Sequence, residues 1–303
     1  MSETDEIVKI EDPAEPKVPH AEPGEQTRKE RRAEALKNRV TELDVFRGVA
    51  VLLMILDHLA YDFWGLLPMA FRYYPAKEGF SRTLRDLALS YWTWDVRSVV
   101  RYAVLFVFLG LTGICCSFSR SNLKRGLKLL AAAMVLTAGT LAVGWLVGDF
   151  DITITFGVLH CISVTLILIG ILEKLSANKW VYLALGVVLT GFGIWLRARG
   201  VPFASYSSAP FPILLGKGIL GLADIGSDCF ALPFHGGQIF LGVFLGKVLF
   251  RDRKPVYRKP TLYRNNFLTF VGRNSLWIYL LHQFLLPVAA GIVLLLCGFH
   301  LNI

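Results

Sequence analysis

LDVFRGVAVLLMILDHLAYDFWGLL, residues 43–67, is long enough to cross a bilayer and too highly charged to be a plain anchor. Roughly 20 apolar residues suffice for a span, yet this run carries Asp44, Arg47, Asp57, His58 and Asp62. An ionisable side chain near the bilayer centre costs about 2.5–3.5 kcal/mol on insertion scales, so such groups mark chemistry more often than anchoring.

Outward from that helix the composition is that of a polytopic membrane protein. Of 303 residues, 54% are hydrophobic, which is too apolar for an ordinary soluble domain. The formal net charge is +9. Nucleic acid is not implied, because the positive residues fall in short loops and the N-terminal tail, where they set membrane orientation. The five cysteines have neither metal-ligand spacing nor the density of a disulfide scaffold. They read as small core hydrophobes, and no metal is expected.

The expected fold is all-α, a polytopic helix bundle of about seven or eight transmembrane helices. Residues 1–40 are rich in charge and proline and read as a disordered cytoplasmic tail; residues 41–303 form the membrane domain. The basic cluster Arg28–Arg39 ahead of the first span keeps the N-terminus cytoplasmic in a multi-pass protein of the cell (plasma) membrane. Later spans are expected near 98–118, 127–147, 153–172, 179–196 and 235–250. Residues 68–96 read as a long aromatic-rich loop. The last region, 267–300, is one kinked span or a span plus a short helix, because Pro287 interrupts it. The apolar piece Ile213–Leu222 is too short to span and reads as re-entrant or interfacial. Every inner loop in this scheme is basic, including SRSNLKRGLK and RDRKPVYRKPTLYR.

Within the first span, Arg47 and His58 are eleven residues apart, roughly 16 Å along a helix axis. His58 and Asp62 share a face at i,i+4 and can hydrogen-bond; a carboxylate holding an imidazole in one tautomer makes it a better base. Asp57 points to another face and reads as packing against a basic partner. Asp44 has the residue type of a helix cap. His160, in TITFGVLHCIS, is counted to nearly the depth of His58, and His282 follows the polar run GRNS. Asp224, Asp228 and His235 flank the short apolar piece; His20 and His300 receive no role. No phosphate loop, HExxH, GxSxG or CxxC is present.

These residues carry a family resemblance. LDVFRGVAVLLMILDHLAYD resembles the opening of the transmembrane acyltransferases, with an arginine, ten residues and a histidine on the first span, here Arg47 and His58. FVFLGLTGICCSFSR, FGVLHCIS and GRNSLWIYLLHQ are similar to the subgroup containing the catalytic domain of heparan-α-glucosaminide N-acetyltransferase and its bacterial relatives, in matching order over about residues 40–285. SDCFALPFHGGQIFLG is similar to a family stretch of the form D-aromatic-Pro-x-x-Pro but lacks its first proline.

The resemblance implies transfer of an acyl group, expected to be acetyl, from acyl-CoA to a hydroxyl or amine of a glycan or small-molecule acceptor. It implies that Arg47, with Asp44, meets the donor, a guanidinium being a good phosphate partner. His58 would then be general base or relay, with Asp62 and His160 in the catalytic group, and His282 and Asp228 on the acceptor. An acyl-histidine and direct transfer stay open. The implied partners are acyl-CoA, the acceptor and the lipid bilayer, with room for a homo-oligomer. Two other classes compete: a histidine-dependent proton-coupled transporter or flippase, and a non-catalytic membrane scaffold. The absence of an evident internal repeat weighs against the first.

Overall fold

The computed structural model describes residues 39–72, 79–147, 153–199, 211–222, 228–251, 254–255, 264–296 and 300–301. Asp224, His20 and the expected N-terminal tail up to residue 38 lie outside them. The described helices of seven residues or more are α1 (Thr41–Tyr61), α2 (Phe80–Trp92), α3 (Asp95–Ile114), α4 (Asn122–Val147), α5 (Val158–Lys174), α6 (Lys179–Ala198), α7 (Phe211–Leu220), α8 (Leu232–Leu249), α9 (Phe267–Arg273) and α10 (Ser275–Leu296). Extended structure among the described residues is limited to two antiparallel two-residue pairs, Phe71–Arg72 with His300–Leu301 and Phe250–Arg251 with Lys254–Pro255.

The chain is therefore an all-helical membrane bundle. Five described helices, α3, α4, α6, α8 and α10, are long and apolar enough to cross a membrane, fewer than the seven or eight expected. The reason is chemical for α1, whose 21 residues include Glu42, Asp44, Arg47 and Asp57, and geometric for α5, which has 17 residues. α1 packs against α3, α9 and α10 while leaving Phe46, Leu56 and Tyr61 exposed, and α5, more deeply buried, packs against α4 and α8. The last region resolves into short α9 followed by a single 22-residue helix with Pro287 inside it. The expected loop 68–96 contains α2, which closes over the end of α1.

Helix association in a bilayer cannot rest on the hydrophobic effect, so close backbone approach carries it. α8 shows how: it is the hub, packed on α3, α5 and α6. A Cβ on Gly242 would collide with the Gly110 backbone of α3, and one on Gly246 would lie 2.6 Å from Ser117 Oγ. Around this seam sits a core of Leu109, Leu166, Ile169, Tyr182, Ile239 and Val243, all essentially inaccessible. The same device joins α1 to α9, where a Cβ on Gly48 or Gly272 would run into the facing backbone at Leu268 or Asp44. Large apolar residues such as Val99, Val135, Trp145 and Leu285 are exposed on the outside of the bundle, where lipid is their natural solvent.

Asp57 has the basic partner anticipated for it. Arg97, near the start of α3, donates to both carboxylate oxygens at 2.7 and 2.8 Å, and the Tyr91 hydroxyl adds a 3.3 Å bond. The guanidinium also lies over the Trp92 ring at 3.4 Å. Bidentate geometry and an aromatic face make this a strong pairing for a group held out of water.

Candidate active site

α1 ends in an unusual way. After Tyr61 the helix widens into one π-helical turn, Asp62–Leu66, before a last turn at Leu67–Ala70. Single π turns interrupt the regular ladder and occur often at functional sites. Here the interruption begins at Asp62, which is buried, immediately beyond the turn that carries His58.

The imidazole of His58 is held by its own helix. Nδ1 lies 2.8 Å from the Met54 carbonyl oxygen. A carbonyl only accepts, so Nδ1 bears the proton and Nε2 keeps its lone pair, the form a general base requires. The orienting bond expected from Asp62 thus comes from the Met54 carbonyl, while the Asp62 carboxylate stays within electrostatic reach of His58. His282, buried on α10, is set in the same manner: its Nδ1 donates to the Tyr279 carbonyl at 2.6 Å. Its Nε2 is buried without a hydrogen-bond partner. The two rings meet edge to face, centroids 5.0 Å apart and planes at 81°. Two imidazoles with Nδ1 committed to a main-chain carbonyl therefore meet between α1 and α10.

The third wall is the loop ahead of α8. Asp228 occupies the left-handed backbone region at φ 57°, rare for a residue with a side chain and frequently a mark of function. The Tyr279 hydroxyl lies 3.4 Å from Asp228 Oδ2. Burial pushes the Asp228 carboxyl above the usual carboxylate range; His58, Arg101 and the Tyr279 hydrogen bond act in the opposite direction. The loop is pinned where the Phe230 N–H donates to the Phe156 carbonyl at 3.0 Å, beside Gly157, where a Cβ would lie 2.7 Å from Ile154 Cγ2.

His160 belongs to the other side of that pin. Its Nδ1 accepts from the Gly157 N–H at 3.3 Å, which puts the proton on Nε2, 3.1 Å from Thr137 Oγ1. Thr137 in turn donates to the Ile154 carbonyl at 2.8 Å. Both ring nitrogens are in use, and the ring lies against Phe156, 5.8 Å between centroids. His58 finds its ring partner in His282.

At the opposite end of the bundle, Arg47 donates to Cys115 Sγ at 3.1 Å. Arg125 and Arg47 both bear electrostatically on the neighbouring Cys116. Asp44 is buried in the first turn of α1 against α9; the residue at the cap position is Val40. Among the described residues no group of three or more His, Cys, Asp or Glu is arranged to hold a metal.

The chain matches the family described as heparan-alpha-glucosaminide N-acetyltransferase, catalytic, over residues 39–284. It belongs to that family. The match spans every site residue named above and makes the protein a membrane acyltransferase by kinship. Comparisons with curated proteins and with solved structures gave no match. Sequence reasoning passed over two members of this acetyltransferase-family site, Tyr279 and Arg101. Tyr279 was detectable, being three residues before His282 and so on one helical face with it; Arg101 carried no signal before the fold brought α3 beside the Asp228 loop.

Proposed function

We propose that this chain moves an acetyl group from acetyl-CoA to a hydroxyl or amine of a glycan or related acceptor, with His58 as the general base. The observation that carries this reading is the His58 ring, whose Nδ1–H is committed to Met54 and which meets the His282 ring edge to face. In the reaction, the acceptor oxygen or nitrogen attacks the thioester carbonyl carbon while His58 Nε2 takes its proton. The tetrahedral intermediate then collapses with loss of the CoA thiolate, and the imidazolium returns the proton to the leaving sulfur. Asp62 and Asp228, both within electrostatic reach of His58, stabilise the transient imidazolium. His282 Nε2, an acceptor without a partner, and Asp228 receive hydrogen bonds from the acceptor substrate. His160 acts at one remove, holding the Phe156–Gly157 segment on which the Asp228 loop rests.

The donor approaches from the other end, where Arg47 and Arg125 supply positive charge for the phosphates of CoA. Transfer of labelled acetyl from acetyl-CoA by protein reconstituted in liposomes tests the assignment. His58→Ala is expected to reduce transfer by roughly 10²–10⁴-fold while the protein inserts and purifies normally; full acetyl-CoA-dependent activity in that variant would remove His58 from its role. Arg47→Ala is expected to raise KM for acetyl-CoA about tenfold, the loss of one charge-assisted contact, with a weaker dependence on salt. An unchanged KM would free Arg47 from the donor.

A further inference from the structure

The contact of His58 with His282 depends on the rotation of α1 about its own axis. Successive side chains leave a helix about 100° apart, so Asp57 meets α2 and α3 while His58 meets α10. Arg97 of α3 donates to both Asp57 oxygens at 2.7 and 2.8 Å with 7% of its side chain exposed, and the Tyr91 hydroxyl of α2 adds a third bond. A fork on a carboxylate fixes direction as well as distance. The guanidinium is set in turn by the face of Trp92, which extends the grip along α1. The Trp92 ring stacks on Trp64, centroids 5.4 Å apart and planes at 17°, and meets Tyr61 at 5.4 Å. Asp57 and Tyr61 are four residues apart and share a face.

The close seam of α1 with α9 at Gly48 is about 15 Å along the axis from His58. Ordinary dihedral scatter over that length leaves room for a small twist. Val49, Leu53 and Leu56 are exposed on the outer flank of the helix, and the regular ladder gives way to the π turn at Asp62. Side-chain ends lie about 5–6 Å from a helix axis, so a rotation of about 10° carries an imidazole about 1 Å. A displacement of about 1 Å can cost a factor of about 10² in rate.

We propose that Asp57 and Arg97 are positioning residues for acyl transfer, a clamp that sets the axial rotation of α1 and so aims His58. The inference rests on the reading of His58 as the base. A pair serving stability alone needs only opposite charges at contact distance. The two-pronged bond, the ring beneath the guanidinium and the continuation of that ring onto Tyr61 and Trp64 fix an angle as well.

Three variants of the full chain in liposomes test it, with labelled acetyl-CoA as donor and glucosamine as acceptor. Asp57→Asn alone strands a buried guanidinium and is expected to lower the thermal midpoint by roughly 10 °C. Asp57→Asn combined with Arg97→Gln removes both charges and should recover most of that loss. Its kcat per folded molecule should nonetheless stay about tenfold or more below wild type, with KM for acetyl-CoA unchanged. Arg97→Lys keeps the charge and loses the fork and the flat face; it should fold and show the same split between kcat and KM. Wild-type turnover in either the double variant or Arg97→Lys overturns the inference, and if His58→Ala is inactive beside them the base reading survives it. Activity retained in His58→Ala, or a wild type that transfers no acetyl, brings down the base reading and the clamp together.

Discussion

His160 commits both ring nitrogens, one to the entrance of its own helix and one to Thr137 on α4, whereas His58 and His282 commit one each to a main-chain carbonyl and pack against each other. All three are histidines in apolar helical surroundings, His160 and His282 buried and His58 half-buried. The difference is the hydrogen-bond partner at Nδ1. A main-chain N–H at that position, as for His160, forces the proton to Nε2 and closes the ring against Thr137. A main-chain carbonyl, as for His58 and His282, leaves Nε2 bare. Whether a histidine in these helices keeps a free ring nitrogen is thus decided one turn away, by which end of a peptide group the helix presents.

The sharpest way to break this contrast is to exchange the consequences. His58→Gln should cost activity on the scale given for His58→Ala and leave the thermal midpoint in detergent nearly unmoved. His160→Leu should do the reverse, lowering stability by about 1–3 kcal/mol through the orphaned Gly157 N–H and the bond lost at Thr137, with turnover per folded molecule within a few-fold of wild type. Comparable loss of turnover in both, at equal folded fraction, would place His160 in the chemistry. A smaller effect is expected from His282→Phe, which keeps the ring and removes Nε2: KM for the acceptor should rise about tenfold with KM for acetyl-CoA unchanged. A parallel rise in both would move His282 out of the acceptor site.

The smallest effect concerns Asp228 and pH. Its carboxyl is raised above the usual carboxylate range by burial, so across the interval from the ordinary value to the raised one the folded state binds more protons than the unfolded chain. Stability contributed by this group is present below the ordinary value and is lost as pH rises through the raised one. Asp228→Asn keeps a residue type tolerant of the left-handed backbone and should flatten that part of the profile of thermal midpoint against pH. A profile unchanged in slope would show that burial of Asp228 is not felt in folding.

Much of this was legible before the fold was known, for reasons that can be named. α3, α4, α6, α8 and α10 were visible because hydropathy alone marks a span. α1 was visible for the opposite reason, its charges being too many for its length. The Asp57 partner was foreseeable as a class, since a buried carboxylate needs a cation, but not as Arg97. The pairing of His58 with His282 was out of reach, because depth along a helix can be counted and rotation about its axis relative to a neighbour cannot. Matching depths led to His160; rotation led to His282. α2 was missed because thirteen amphipathic residues between two spans read as loop. The π turn at Asp62 left no trace in DFWGL.

The Asp57–Arg97 pair has a consequence for how the protein is made. Arg97 is 40 residues downstream of Asp57, so Asp57 is synthesised before its guanidinium partner exists. An unpaired acidic group near the middle of a span opposes translocon insertion by about 2.5–3.5 kcal/mol. On that scale α1 reaches its charge-paired state only once α3 has been made. The helix that bears His58 is thus one that depends on a later helix to neutralise it.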